Sequence, residues 1–237
     1  MTGTSKTPLV LLPGLLCDRA LWAPQIEALG DISEISVGDL TGEDSMAAMA
    51  QAILAAAPER FALAGLSMGG YVSFEIMRRA PERVLRLAFL DTSARPDTRE
   101  QAQARRDFMA LAKRGTFKGV MPRHIPRWVH PSRFEDKALI ETVTAMSMRV
   151  GRDAYLRQQS AILGRPDSRP GLSRIGWQTL VVCGRQDQAT PLAAAREIAA
   201  DIANSRLVVI EKCGHLSTLE RPDEVNSAMR AWLSKSA

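Results

Sequence analysis

Apolar residues along the chain alternate between two spacings. Short unbroken runs closed by Gly or Pro are followed by segments of about a dozen residues in which apolar positions recur every three or four. Leu9-Val10-Leu11-Leu12 is such a run, ended by Pro13-Gly14, as in a strand buried on both faces and stopped by a turn. Asp18 can then cap a helix with Leu21, Trp22, Ile26 and Leu29 on one face, and Gly30 stops it. Ile32 to Val37 alternates like a short strand, and Asp44 opens a helix through Met46, Met49, Ile53 and Leu54 that ends before Pro58. Phe61 to Gly65 reads as a strand running straight into Leu66-Ser67-Met68-Gly69-Gly70. A buried helix with Val72, Phe74, Ile76 and Met77 follows, ending before Pro81. Val84 to Leu90 is a further strand, ending at Asp91. The alternation resumes at Leu180-Val181-Val182 with a strand, a helix capped by Thr190 with Pro191 in its first turn, the strand Leu207 to Ile210, and a last helix from Pro222.

Strands alternating with helices imply βαβ units. The predicted fold is α/β, with a mostly parallel sheet of about six strands flanked by helices. Residues 92–174 break the rhythm, because helical patterns follow one another there with no apolar strand between them. Thr98 with Gln101 and Ser132 with Glu135 have capping-box spacing, and a further helix from about Arg152 ends at Gly164. Met109, Trp128, Met146, Met148, Leu156 and Ile162 give these helices an apolar face that must be buried. The expected organisation is a core of residues 1–91 and 175–237 with a helical lid, 92–174, inserted over the C-terminal edge of the sheet.

Composition narrows the function. At 237 residues and 46% hydrophobic, the chain can build one sizeable core. Cys17, Cys183 and Cys213 form no C-x-x-C pair, which points to a reducing, cytoplasmic location rather than a disulfide framework or zinc ribbon. The apolar run near the start is broken by Pro13-Gly14, so neither a signal peptide nor a membrane partner is expected. Net charge is +5, and it is concentrated in the middle: Arg95 to Arg174 hold 17 Lys and Arg against 8 Asp and Glu. No array of base-stacking aromatics accompanies those arginines, so nucleic acid is not an expected partner.

Gly65-Leu66-Ser67-Met68-Gly69 matches G-x-S-x-G. In that motif a strained strand-to-helix turn lifts the serine hydroxyl above the sheet, and the flanking glycines avoid collision with neighbouring backbone. A serine hydroxyl needs a base. Of the three histidines, His124 and His130 lie in the basic insertion, whereas His215 follows the last strand and therefore shares the sheet edge with Ser67. The carboxylate that orients the imidazole is Asp187, which preserves the chain order Ser, Asp, His; Asp91, at the same edge, is the alternative. Two backbone N–H groups should bind the oxyanion, those of Met68 and of Leu15, with Leu16 as the alternative to Leu15. No nucleotide fingerprint or metal-ligand cluster occurs, so the chemistry needs no cofactor and no metal.

Taken together, the turn after the first strand, Gly65-Leu66-Ser67-Met68-Gly69-Gly70, Gly184-Arg185-Gln186-Asp187 and Gly214-His215-Leu216-Ser217 resemble the α/β-hydrolase fold superfamily of serine hydrolases. The similarity is to small bacterial carboxylesterases and enol-lactonases with a helical cap. It implies cleavage of a small carboxylic ester or lactone through an acyl-serine intermediate. With only eight residues before Leu9, the N-terminal β-hairpin usual in the family is expected to be missing. Pro13 stands where many members carry histidine, and Ser67 stands where the dehalogenases of this fold carry aspartate. A thioester or a carbon–carbon bond beside a ketone could be cleaved by the same residues. A ligand-binding receptor with little turnover is the alternative from another class. Substrate-binding candidates in the lid are Trp128, Arg149, Arg152 and Arg157, the arginines being suited to an anionic ester.

Overall fold

The unbroken apolar runs become the inner strands of one sheet. In the computed structural model, which describes residues 6–114, 117 and 121–234, these are β1 (Thr7–Leu12), β3 (Phe61–Leu66), β4 (Val84–Leu90) and β5 (Thr179–Gly184). Every residue of β3 and β5 is buried. The edge strands β2 (Ser33–Val37) and β6 (Ser205–Ile210) expose alternate or partly covered positions, because only one side of each has a neighbour. The order is β2-β1-β3-β4-β5-β6, and every pairing is parallel. The strand order reverses between β1 and β3. A parallel α/β sheet opens its ligand crevice at such a switch point, beyond the strands' C-terminal ends.

The flanking helices are α1 (Ala23–Leu29), α2 (Met46–Ala56), α3 (Met68–Arg79), α7 (Leu192–Asp201), the short α8 (Ser217–Glu220) and α9 (Pro222–Ser234). Three between β4 and β5 stand apart: α4 (Arg99–Arg114), α5 (Met121–Trp128) and α6 (Lys137–Leu163). Gly151, at φ 78°, breaks α6, so its second half begins at the expected Arg152 and ends at Gly164. The Thr98 and Gln101 capping box forms reciprocally, at 2.9 and 3.2 Å.

Several caps differ from expectation. Ser45, not Asp44, caps α2 by accepting from the Ala48 N–H at 3.2 Å. Ser132 lies in a tight turn, and α6 is capped by Asp136, whose carboxylate accepts from the Leu139 N–H at 3.1 Å. Thr190 does not cap α7, because its hydroxyl is committed to Asp187. Trp128, Met146 and Ile162 are buried as expected, but Met148, in the turn before the Gly151 break, is 41% exposed. Among the described residues, no helix is long and apolar enough to cross a membrane.

Candidate active site

Ser67 sits between the C-terminal end of β3 and the first turn of α3, at φ 53° and ψ −113°. A non-glycine residue is strained there, and the surroundings hold it in place. The Ser67 N–H donates to the Leu90 carbonyl at 3.0 Å, and the Thr92 hydroxyl donates to the Ser67 carbonyl at 2.8 Å. The flanking glycines allow the close approach: a Cβ on Gly65 would lie 2.4 Å from the Gly69 backbone, and one on Gly69 would lie 2.2 Å from the Leu12 carbonyl oxygen.

The loops after β5 and β6 bring Asp187 and His215 to this point. His215 Nε2 lies 2.9 Å from Ser67 Oγ, and His215 Nδ1 lies 2.8 Å from Asp187 Oδ2. Asp187 also accepts from the Ala189 and Thr190 N–H groups at 2.8 and 2.9 Å and from the Thr190 hydroxyl at 2.7 Å. Every lone pair it turns inward is therefore used, and the carboxylate is locked in orientation. Burial opposes a charge on His215, but the carboxylates of Asp187, Asp91 and Glu220 outweigh it and hold the imidazole above its ordinary value.

Asp91 is one layer behind. Its carboxyl accepts from the Gly184 N–H at 2.9 Å and meets the Ser217 hydroxyl. Burial, then the charge of Asp187, push its pKa up to about 8. Glu220, which the sequence reading passed over, accepts from the N–H groups of Gly214 (3.0 Å) and Leu216 (3.3 Å) on either side of His215, and from the His130 N–H at 2.8 Å. It ties the histidine loop to the segment after α5. The His215 N–H adds to this link by donating to the Trp128 carbonyl at 2.8 Å.

Of the two N–H groups considered in the turn after β1, Leu16's donates to Gln158 Oε1 at 3.0 Å and is occupied. The N–H groups of Leu15 and Met68 have no partner among the described residues. Leu15 lines the hollow over Ser67, and Met68 opens α3, where first-turn N–H groups have no intrahelical partner.

That hollow is small, about 50 Å³, and Trp128 is among the residues that line it. It adjoins a larger one of about 310 Å³ between α4, α5 and the start of α7, and Leu15, Tyr71, Arg105, Trp128, Ala189 and Thr190 line both. The arginine candidates lie elsewhere. Arg149 is paired with Asp18 at 2.6 Å, Arg152 with Asp153 at 3.3 Å, and Arg157 donates to the Thr41 carbonyl at 2.9 Å; all three line a separate surface depression. A sequence signal that could have singled out Arg105 is its i, i+3 spacing from Phe108, but helical phase does not say which face meets the sheet edge.

Cys17, Cys183 and Cys213 are free and buried, and burial raises all three thiols. Donor atoms of Asp91, Cys183 and Asp187 lie within 4.8 Å of one another. Both carboxylates are already engaged by backbone and hydroxyl donors, and burial and the neighbouring carboxylates hold the Cys183 thiol protonated. The donors thus suit a hydrogen-bonded frame rather than a metal-ligand set.

Comparison with known proteins bears on the fold and the family. A family model described as alpha/beta hydrolase fold matches residues 31–222. The pimeloyl-[acyl-carrier protein] methyl ester esterase of Nitrosomonas europaea is 27% identical over 94% of both chains. The 3-oxoadipate enol-lactonase 2 of Acinetobacter baylyi is 28% identical over 72% of this chain and 62% of its own. A solved thermophilic esterase from Thermogutta terrifontis, bound to malate, superposes with a TM-score of 0.88 at 31% identity, covering 98% of this chain and 90% of that one. The six parallel strands, the turn that carries Ser67 and these relatives agree: this chain is a hydrolase that belongs to the alpha/beta hydrolase fold family.

Proposed function

We propose that the protein cleaves a small carboxylic ester or lactone through an acyl-Ser67 intermediate. The observation that carries this reading is the continuous contact from Ser67 Oγ to His215 Nε2 (2.9 Å) and from His215 Nδ1 to Asp187 Oδ2 (2.8 Å) at the foot of a hollow. Asp187 accepts from Nδ1–H, which leaves the Nε2 lone pair facing the serine hydroxyl. As Ser67 Oγ attacks the carbonyl carbon, its proton passes to Nε2, and the Met68 and Leu15 N–H groups stabilise the oxyanion. His215 then protonates the leaving alkoxide. In the second half, water gives its proton to His215 while its oxygen attacks the acyl carbon; the bond to Ser67 Oγ then breaks, His215 returns the proton to Oγ, and the acid leaves.

Residues 92–174 act as a lid over this centre, with Trp128 against the substrate. Three buried, unpaired cysteines support a cytoplasmic setting. The relatives named for ester and lactone cleavage support the same class of bond.

Intact-mass spectrometry after fluorophosphonate treatment tests the reading. The parent should gain one adduct, and Ser67→Ala and His215→Ala should gain none; a folded parent that stays unlabelled would overturn it. Labelling needs neutral His215, whose pKa is raised. The rate should therefore fall as pH drops, with a midpoint above the usual histidine value.

A further inference from the structure

Four arginines line the larger hollow: Arg95, Arg105, Arg127 and Arg165. Among the described residues, Asp97 is the one carboxylate in that lining. Two of the arginines are already committed. Arg95 is paired through two nitrogens with Glu197, at 2.9 and 2.7 Å. Arg165 is buried, stacks over Tyr71 at 4.4 Å, and donates to the carbonyls of Arg95 and Ile162 and to Asp97.

Arg105 is only partly committed, and Arg127 not at all. Asp97 is shared, with one oxygen 2.9 Å from Arg165 and the other 2.6 Å from Arg105, so one negative charge faces two positive ones. Arg105 gives its remaining close bond to Gln159 Oε1 at 2.9 Å and retains N–H donors without a partner of normal length. Arg127 is exposed and has no ion pair or hydrogen bond among the described residues. The walls of the hollow therefore carry an uncompensated positive charge. His124 adds nothing to it at neutral pH, because burial and the charges of Arg127 and Arg105 push its pKa down to about 4.

This excess is directly connected to the nucleophile, since Arg105 lines both the larger hollow and the hollow over Ser67. We propose that the larger hollow is an anion subsite, in which Arg127 and Arg105 bind a carboxylate at the far end of a substrate whose ester carbonyl lies at Ser67. The inference rests on the reading of Ser67 as the acylated residue. It assigns the substrate class as half-esters or lactones that carry their own carboxylate. Arg127 and Arg105 are the residues that set specificity, in place of Arg149, Arg152 and Arg157.

A matched pair of alkyl fluorophosphonates, one ending in a free carboxylate and the other in its methyl ester, tests both levels when the rate of Ser67 labelling is measured over a series of chain lengths. At the length that spans the two hollows, the carboxylate reagent should react at least about tenfold faster, the least a charge-assisted hydrogen bond contributes. That preference should collapse in Arg127→Gln and shrink in Arg105→Lys, while Arg149→Gln keeps it. Because the preference is a ratio within one protein, a general loss of folding or reactivity cancels. Equal rates at every length would overturn the anion subsite and leave the hydrolase reading standing, as would a preference that survives in both Arg127→Gln and Arg105→Lys with respect to these two residues. A folded protein that neither reagent labels at Ser67 would remove the hydrolase reading and this inference with it.

Discussion

The C-terminal edge of the sheet and the helices between β4 and β5 face each other across one cleft, but different forces hold them. At the edge, strand backbone places the chemistry. Ser67 is held by the Leu90 carbonyl, Asp91 donates its N–H to the Val182 carbonyl at 2.9 Å, and Arg185 donates its own to Ile210 at 2.9 Å, so each loop continues the ladder that precedes it. In the helical segment, guanidinium groups do much of the tying. Asp97 bridges Arg105 and Arg165, and Arg149 reaches across to Asp18. Geometry that must hold to a fraction of an ångström stands on the sheet, and the groups that would select a substrate stand on side chains that can change without disturbing it.

The two carboxylates at the edge provide the test with the largest expected effect. In Asp187→Asn, an amide nitrogen would replace one of the oxygens that now accept from four donors, and His215 would lose the partner that fixes its tautomer. Turnover of an activated ester such as p-nitrophenyl acetate should fall about 10³–10⁴-fold. Asp91→Asn should stay within about tenfold, because Asp91 bonds Gly184 and Ser217 rather than the imidazole. The reverse ranking would move the orienting acid to Asp91.

The same contrast explains what could be read from the sequence. Leu9 to Leu12, Phe61 to Leu66 and Val84 to Leu90 are apolar without interruption because parallel strands are covered on both faces, and a chain that alternates such runs with helices has few topologies open to it. Once the strands are parallel, their ends share an edge, which is why the sequence alone brings Ser67, Asp187 and His215 together. Glu220 and Thr190 gave no such signal, because their roles depend on which loop backbones approach them. The arginines of the helices between β4 and β5 were the hardest to assign. Arg105 and Arg149 look alike in sequence, and only the docking of α4 and α6 places one in the cleft and the other on the rim. Neither Ser132 nor Asp44 holds the cap expected of it, since α6 and α2 begin later along the chain and are capped by Asp136 at the Leu139 N–H and by Ser45 at the Ala48 N–H.

A smaller effect should follow from untying the helical segment at its buried joint. Asp97 has a side chain only 5% exposed, and Arg165, its closer-buried partner, is 6% exposed. Asp97→Ala would leave the Arg165 guanidinium buried without a counter-charge and should lower unfolding stability by about 3–5 kcal/mol, read from urea titrations. If the sheet edge is placed independently of the segment, the folded variant should still label at Ser67. A loss below about 1 kcal/mol would mean that the apolar face of Trp128, Met146 and Ile162 holds the segment by itself.

The smallest effect is expected where the segment meets the rim. Arg149 pairs with Asp18 through two nitrogens, at 2.6 and 3.2 Å, but its side chain is 54% exposed and that of Asp18 is 27% exposed. Water and salt screen such a pair, and holding the long side chain in one geometry costs entropy. Asp18 keeps its own local task without the arginine, because it also accepts from the Ala20 N–H at 2.9 Å and so holds the turn before α1. Arg149→Gln should therefore change stability by less than about 1 kcal/mol in the same titration, and by still less at high salt. A loss as large as that of Asp97→Ala would mean that the rim pair, despite its exposure, governs how the segment docks, and the division between a sheet that places and a segment that selects would no longer hold.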